Sequence, residues 1–263
     1  MIKLENTEVL GWEAAIRGMR NPMNSWEKSD SLFFRWTAKD ADGEPVEDVY
    51  SDILGEFHEL DPYSSQGYEM ELGPSDRKLM MNLAKAGSVD AKYRRMIVVT
   101  VDITAPLYWW KEFDTYKVGT VANSCSTMHK IQAKPFELED FSYENLMEDD
   151  QNENYMLRAE LNYDDCTSAL YPIDILRNTI DMLNKCRTSF NVTKEKKYWW
   201  QMIQLLPSSY NQRRTVMLNY EVLAGIYPKR KDHKLDEWHT FCDWIKSLPY
   251  SEIITLEEMR KEK

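Results

Sequence analysis

The chain has 263 residues, enough for one large domain or two small ones, with a sizeable core in either case. Its 33 basic and 44 acidic residues give a formal charge of −11, which argues against a surface built to grip nucleic acid but leaves room for one small anion held by a few local cations. Hydrophobic residues at 43% exclude a disordered acidic protein, and only 9 Gly and 10 Pro exclude the collagen-like and Gly-rich classes.

Gly11 to Met19 reads as a short helix and Ser31 to Thr37 as a strand, with Asp40-Ala41-Asp42-Gly43 as a turn. Pro74-Ser75-Asp76 opens a helix through Ala86, with Ser75 as the expected N-cap and Gly87 as the stop. Met96 to Ile103 (MIVVTVDI) is the clearest strand, dense in β-branched residues. Thr104-Ala105-Pro106 then starts a helix of about three turns, since Pro suits the first turn.

Residues 137–165 are strongly acidic and read as a solvated loop or insertion. Ile175, Leu176, Ile180, Leu183 and Cys186 recur near helical spacing, so 172–190 reads as a helix. A second helix covers 194–205 and stops at Leu206-Pro207. Arg214 to Leu218 reads as a strand, and Asn219 to Tyr227 and Leu235 to Leu248 as two more helices. No internal repeat interrupts this order. The expectation is α+β, a single domain over residues 1–263 with helices packed on a sheet.

No window approaches the ~18 unbroken apolar residues of a membrane helix. The start, Met1-Ile2-Lys3-Leu4-Glu5-Asn6, lacks the apolar core of a signal peptide. Cys125, Cys166, Cys186 and Cys242 are scattered and form no CxxC pair. These features read as a reduced, cytoplasmic chain, in which the acceptor pattern Asn191-Val192-Thr193 stays idle.

Several constellations invite chemistry. Cys125 and His129 lie four apart, so a helix would put them on one face, but no third orienting residue accompanies them. His233, Asp236, Glu237 and His239 do not have the spacing of a metal motif and read as surface polarity. GxGxxG and GxxxxGK[ST] are both absent. The Trp pairs 109–110 and 199–200, with Trp238 and Trp244, read as core and interface packing, with one member of each pair free to meet another subunit. The polar run from Lys111 to Lys117, continued by Thr120, Asn123, Ser124, Cys125, Ser126 and Thr127, follows an apolar strand and helix directly and suits the lining of a polar pocket.

This run and the C-terminal third resemble flavin-dependent thymidylate synthases of the ThyX type. There, Ala-Pro after a strand leads through a helix to an Arg-His-Arg triplet, a Ser, and a Ser-x-Arg. Here Ala105-Pro106 is followed by LYWWKEFDTYK, and Thr115-Tyr116-Lys117 falls on the triplet. Thr120 falls on the first Ser, Cys125 and Thr127 on the second Ser and the Arg, and Glu112 on a Gln that meets the nucleotide. Downstream, Leu206-Pro207 precedes RRTVMLN, and Arg230 lies eleven residues after Asn219, as in the family's Asn-to-Arg spacing. The likeness covers about residues 90–132 and 172–247.

The resemblance implies an α+β fold with helices on an antiparallel sheet, FAD as cofactor, a dUMP-like pyrimidine nucleotide and folate as partners, and a homotetramer with sites shared between subunits. It implies cofactor contacts from Lys117, Tyr116, Asn219 and Thr115. It implies nucleotide contacts from Arg230, Glu112, Asn123 and Thr127, and reaction chemistry near Cys125, Thr120 and Glu112. The departures are cations: the triplet keeps only Lys117, the last motif Arg is Thr127, and an Arg before Leu-Pro is Ile203. Lys92, Arg94, Arg95, Lys111, Arg213 and Arg214 are the expected substitutes. The alternative is a non-catalytic nucleotide-binding or scaffold protein that kept the fold and lost the flavin.

Overall fold

A computed structural model describes residues 2–37, 50–51, 66–148, 157–160 and 167–256. Strand β1 (Lys3–Leu10) leads into helix α1 (Trp12–Arg20), followed by β2 (Leu32–Thr37), β3 (Tyr50–Ser51), β4 (Gln66–Glu71) and α2 (Pro74–Ala86). Then come β5 (Val98–Pro106), α3 (Leu107–Phe113), β6 (Val121–Ser124), the single turn α4 (Thr127–Lys130), and the hairpin strands β7 (Leu157–Glu160) and β8 (Thr167–Leu170). The remainder is α5 (Pro172–Thr193), α6 (Lys196–Leu205), β9 (Asn211–Asn219), α7 (Tyr220–Arg230), α8 (Asp236–Ser247) and α9 (Glu252–Thr255).

The organising sheet is antiparallel, in the order β1-β5-β9-β6. Alternation along β5 and β9 buries Val99, Val101, Ile103, Val216 and Leu218 on one face. Residues of α1, α3, α7, α8 and α9 cover that face, including Trp12, Trp109, Phe113, Leu223, Trp238 and Ile245. This is the expected α+β architecture. The other face carries Asp102, which accepts from Thr215, Arg213 and Asn6, and those three bonds hold its carboxyl far below the usual range. A second apolar cluster joins α5 and α6 to Phe136 and Phe141. Two smaller sheets, β3-β2-β4 and β7-β8, complete the described topology.

The elements differ from expectation in instructive ways. β5 runs on through Pro106, so α3 has seven residues, about two turns rather than three. Gly73, not Ser75, precedes α2, because the Asp30 carboxylate already accepts from the N–H groups of Ser75 and Asp76. Both Trp109 and Trp110 are buried within the chain, so neither is left for another subunit. Cys125 lies before α4 rather than on a helix with His129. The acidic stretch is not loop throughout: Leu138–Asp140 forms a capped turn, Phe141 is buried, and Leu157–Glu160 pairs with β8. The expected turn at Asp40–Gly43 and the most acidic residues, 149–154, lie outside the described residues. Among the described residues no helix is long and apolar enough to cross a membrane.

Candidate functional site

The sequence-predicted residues separate into three groups. The first surrounds Arg230, at the end of α7. Its Nη1 lies 2.5 Å from Glu112 Oε2, and its Nε donates to the Tyr116 hydroxyl at 2.8 Å. The guanidinium sits 4.4 Å above the Trp238 ring, and the Trp238 indole N–H donates to the same Glu112 oxygen at 2.9 Å. His233 Nδ1 accepts from the Leu235 N–H, which turns Nε2 toward Glu112 at 3.4 Å. The helix α3 supplies Glu112 from its exposed side because Trp109, Trp110 and Phe113 take the buried side. The result is a charge-paired, aromatic-walled cage, with the Arg230 side chain 15% and the Glu112 side chain 35% exposed.

The second group is the turn at 117–120, laid against the start of α7. Gly119 has φ of +77°, and a Cβ there would lie 3.1 Å from Val222 Cγ2 and 3.3 Å from Asn219 Nδ2. Asn219 caps α7 by accepting from the Val222 N–H at 3.0 Å. The Thr120 hydroxyl is buried without a hydrogen-bond partner. Lys117 is exposed and makes no ion pair among the described residues, and the Thr115 hydroxyl donates to the Glu112 carbonyl.

The third group opens a cleft of ≈ 370 Å³ where β6 ends and β9 begins. Cys125 and Thr127 line it together, joined by Lys3, Lys130, Tyr210 and Asn211. Cys125 is held by its backbone, with N–H to Arg213 O and its carbonyl accepting from Gln212 Nε2. Its thiol is exposed, whereas those of Cys186 and Cys242 are buried. Burial and the nearby Asp140 raise the Tyr210 phenol above its ordinary pKa. Asn123 sits beside this cleft on β6, opposite Thr215, on an exposed edge strand.

Three of the six expected substitute cations have carboxylate partners of their own. Arg94 is buried against Glu221 at 2.7 Å, Arg213 pairs with Asp102 at 2.7 Å, and Arg214 pairs with Asp114 at 2.7 Å while stacking on Trp110. Sequence reading missed Lys3, Lys130 and Asn211 in the cleft and Trp238 and His233 in the cage. Lys130 had a legible signal, three residues after Thr127 and so on the same side of one turn. His233, Asp236, Glu237 and His239, expected on the polar surface of a helix, make separate contacts: His233 faces Glu112, His239 lies 3.6 Å from Asp236, and Glu237, contrary to expectation, is buried and accepts from the Tyr108 hydroxyl.

Superposition on solved structures decides the fold. The chain has the ThyX fold. It superposes on ThyX thymidylate synthase from Helicobacter pylori, solved with FAD and dUMP, with TM-score 0.56 at 12% identity, covering 98% of each chain. A second structure of the Helicobacter pylori enzyme complexed with FAD and dUMP gives TM-score 0.55 at 13% identity, covering 97% of this chain and 98% of that one. The UMP/dUMP methylase PolB from Streptomyces cacaoi, bound with 5-Br UMP, gives TM-score 0.53 at 11% identity, covering 97% and 95%. No protein-family model and no curated protein sequence matches the chain. At such identity the ThyX fold is shared while the side chains are almost wholly replaced, so function has to be argued from the residues present.

The four residues expected to contact a flavin dinucleotide bring it little charge. Its diphosphate calls for several cations or aimed N–H donors. Of the four expected contacts, the Tyr116 hydroxyl is engaged by Arg230, the Asn219 carbonyl by the α7 cap and the Thr115 hydroxyl by Glu112. Only Lys117 remains as a cation, on an exposed turn.

Proposed function

We propose that this chain is a pyrimidine-nucleotide-binding protein of ThyX fold that takes a dUMP-like ligand without a flavin. The observation that carries the reading is the cleft, where two sequence-predicted residues from the polar run, Cys125 and Thr127, meet lysines in a chain whose net charge is −11. The arginine pairs support the same reading. A guanidinium committed to an internal carboxylate has little left for a ligand diphosphate, since an exchange of partners gains nothing unless the ligand binds better than the carboxylate it displaces. In this reading the protein is a cytoplasmic homotetramer of single-domain subunits. The cage of Glu112, Tyr116 and Arg230 on one copy faces the Cys125 cleft of another, with Thr120 and Asn123 at the margin. An exposed thiol such as Cys125 suits a reducing compartment.

The test is thermal. A ligand that binds only the folded state stabilises it by about 2.7 kcal/mol at a hundredfold excess over Kd. The expected result is a raised melting temperature with dUMP and none with FAD at micromolar concentration. No shift with any pyrimidine nucleotide sinks the reading.

A second reading is favoured by the FAD and dUMP in the two Helicobacter pylori structures. It is a divergent transferase moving a one-carbon unit from folate to a dUMP-like or other pyrimidine nucleotide with FAD, in which Cys125, Thr120 and Glu112 lie near the reacting base. Yellow colour on purification and quenching of added FAD are the results that establish it, with mass spectrometry of dUMP and dCMP products as confirmation.

A further inference from the structure

Helix α5 carries apolar residues on two sides. Its inner stripe, Ile173, Leu176, Ile180, Leu183 and Cys186, is buried, and the last four pack with α6, Phe136 and Phe141. On the outer side Ile175, Met182 and Val192 are 44%, 47% and 79% exposed. The first two lie two turns apart and the third further along the same side, all within about 100° of the helix circumference. Single exposed apolar residues are ordinary, but three on one stripe of one helix mark a contact face.

Charge divides the same helix at its middle. Beside the first half stand Glu144, Glu148, Asp174 and Asp181 against Arg177. The chain before α5 lies along that half because Phe136 exchanges two hydrogen bonds with Asn184 and the Ile173 N–H donates to the Met147 carbonyl. Beside the second half stand Lys185, Arg187, Lys194, Lys196 and Lys197 against Glu195. Among the described residues only Lys197 of these cations pairs with a carboxylate, Glu195 at 2.7 Å. Met182 stands at the middle of the 22 residues, where the sign changes.

We propose that the outer face of α5 is a two-fold interface with a second copy of this chain, in which two α5 helices pack antiparallel and cross at Met182. The inference rests on the oligomeric part of the proposed function and is independent of its ligand. Antiparallel packing sets the acidic half of each helix beside the basic half of the other, whereas parallel packing sets like charge on like. A two-fold contact is self-complementary, so a residue on the axis meets itself and every other pair occurs twice. Met182 is then the residue that meets itself, and Asp181 comes beside Lys185 of the second copy. A helix of this length, about 33 Å long and 10 Å wide, covers about 330 Å². That is less than half of the roughly 800 Å² a stable contact takes from each partner. Apolar burial on α5 alone therefore does not hold the pair, and the flanking charges make it sensitive to salt.

The experiment combines cross-linking and sedimentation of the full chain. A disulfide forms only where Cα atoms come within about 7 Å, so Met182→Cys under an added oxidant reports whether this residue meets its own copy. Val89→Cys, on an exposed turn after α2, is the control for random collision. Sedimentation at ~50 and ~500 mM salt then compares wild type with Lys185→Glu, Asp181→Lys and the two together. Both side chains are exposed, so folding is not at stake. The expected result is a covalent pair for Met182→Cys and none for Val89→Cys. Each single reversal weakens association about tenfold, because the altered pair occurs twice, and the double exchange restores it. High salt weakens wild type in the same direction. If wild type associates but Met182→Cys does not cross-link, or if the double exchange is as weak as the single reversals, the interface is refuted while the homotetramer stands. If wild type is a monomer at both salt concentrations, the interface and the homotetramer fall together, and nucleotide binding is judged separately by the thermal shift with dUMP.

Discussion

The pair between Glu112 and Arg230 makes a quantitative demand. The double-mutant cycle uses Glu112→Gln, which keeps size and an acceptor, Arg230→Met, which keeps the alkyl stem, and the two together. Exposed pairs couple by about 0.2–1 kcal/mol, and losing one partner of a fully buried pair costs about 3–5 kcal/mol. With Arg230 15% and Glu112 35% exposed, and with one short bond rather than a bidentate fork, the pair lies between these limits, nearer the exposed end. A coupling of about 1.5 kcal/mol follows, and the Trp238 face, which holds the cation whatever Glu112 does, drops out of the cycle. Urea unfolding followed by Trp fluorescence measures it, and for a chain of this length each single substitution lowers the melting temperature by about 3–6 °C. A coupling below about 0.3 kcal/mol, the scatter of additive sites, refutes the claim that Arg230 is committed within the chain. The argument against a ligand diphosphate at this position then loses its basis too.

Three further outcomes are expected. Asp76, fully buried, opposes burial with hydrogen bonds from Ser31, Ser29 and Arg20 and with the Arg20 charge, and these hold its carboxyl below the ordinary value. Its contribution is therefore complete above the unfolded pKa of about 4 and is lost as pH falls through the folded value. Asp76→Ala strands the buried Arg20 and costs about 3–5 kcal/mol at pH 7, and urea titrations should show that penalty shrinking between pH 5 and pH 2, whereas a pH-independent penalty contradicts the network. In native protein a thiol reagent modifies Cys125 first and Cys242 last among the described cysteines, because burial raises the Cys242 thiol to about 11; peptide mapping that finds Cys242 labelled as fast removes that ordering. Gly11→Ala costs at least about 2 kcal/mol, since Gly11 has φ of +95° and a Cβ would meet Met96 O at 2.1 Å; a melting temperature within 2 °C of wild type shows that this junction relaxes.

Where hydrophobic pattern and chain punctuation agree, the fold is legible. β5 and β9 alternate or run in β-branched residues, and Pro172 and Leu206-Pro207 bracket the long helical hairpin, so these elements fall near their expected bounds. β1 is illegible for a physical reason: KLENTEVL is an edge strand with a register shift between Glu5 and Glu8, and almost none of it is buried, so no alternation marks it. β6 is hidden likewise, exposed at every residue. The site is legible in halves. Cys125 and Thr127 meet in the cleft and Glu112, Tyr116 and Arg230 meet in the cage, but nothing local in the sequence says that Lys3 lines the same cleft as Lys130, because more than a hundred residues separate them.

Charge is the thread that joins these observations. In the primary sequence the arginines at 94, 213, 214 and 230 look like a reservoir for a phosphate ligand. In the folded chain each has a carboxylate: Glu221, Asp102, Asp114 and Glu112. Arg94 is buried and holds Ile253 O as well, which ties α7 to α9 and makes it a structural cation. Arg213 completes the three-donor shell of Asp102 on the open sheet face, and removing either partner leaves the other to water rather than to a ligand. Arg214 and Arg230 are held doubly, by a carboxylate and by an indole ring, so releasing either charge loses two contacts at once. Rigid arginines are thus spent on the fold, while the flexible lysines at 3, 117 and 130 keep their charge for solvent or ligand. A chain that uses its cations in this way can hold the architecture of the ThyX fold without any anion bound. Lys3 and Lys130 line one cleft together, and the −11 of the whole molecule does not set the balance of charge there.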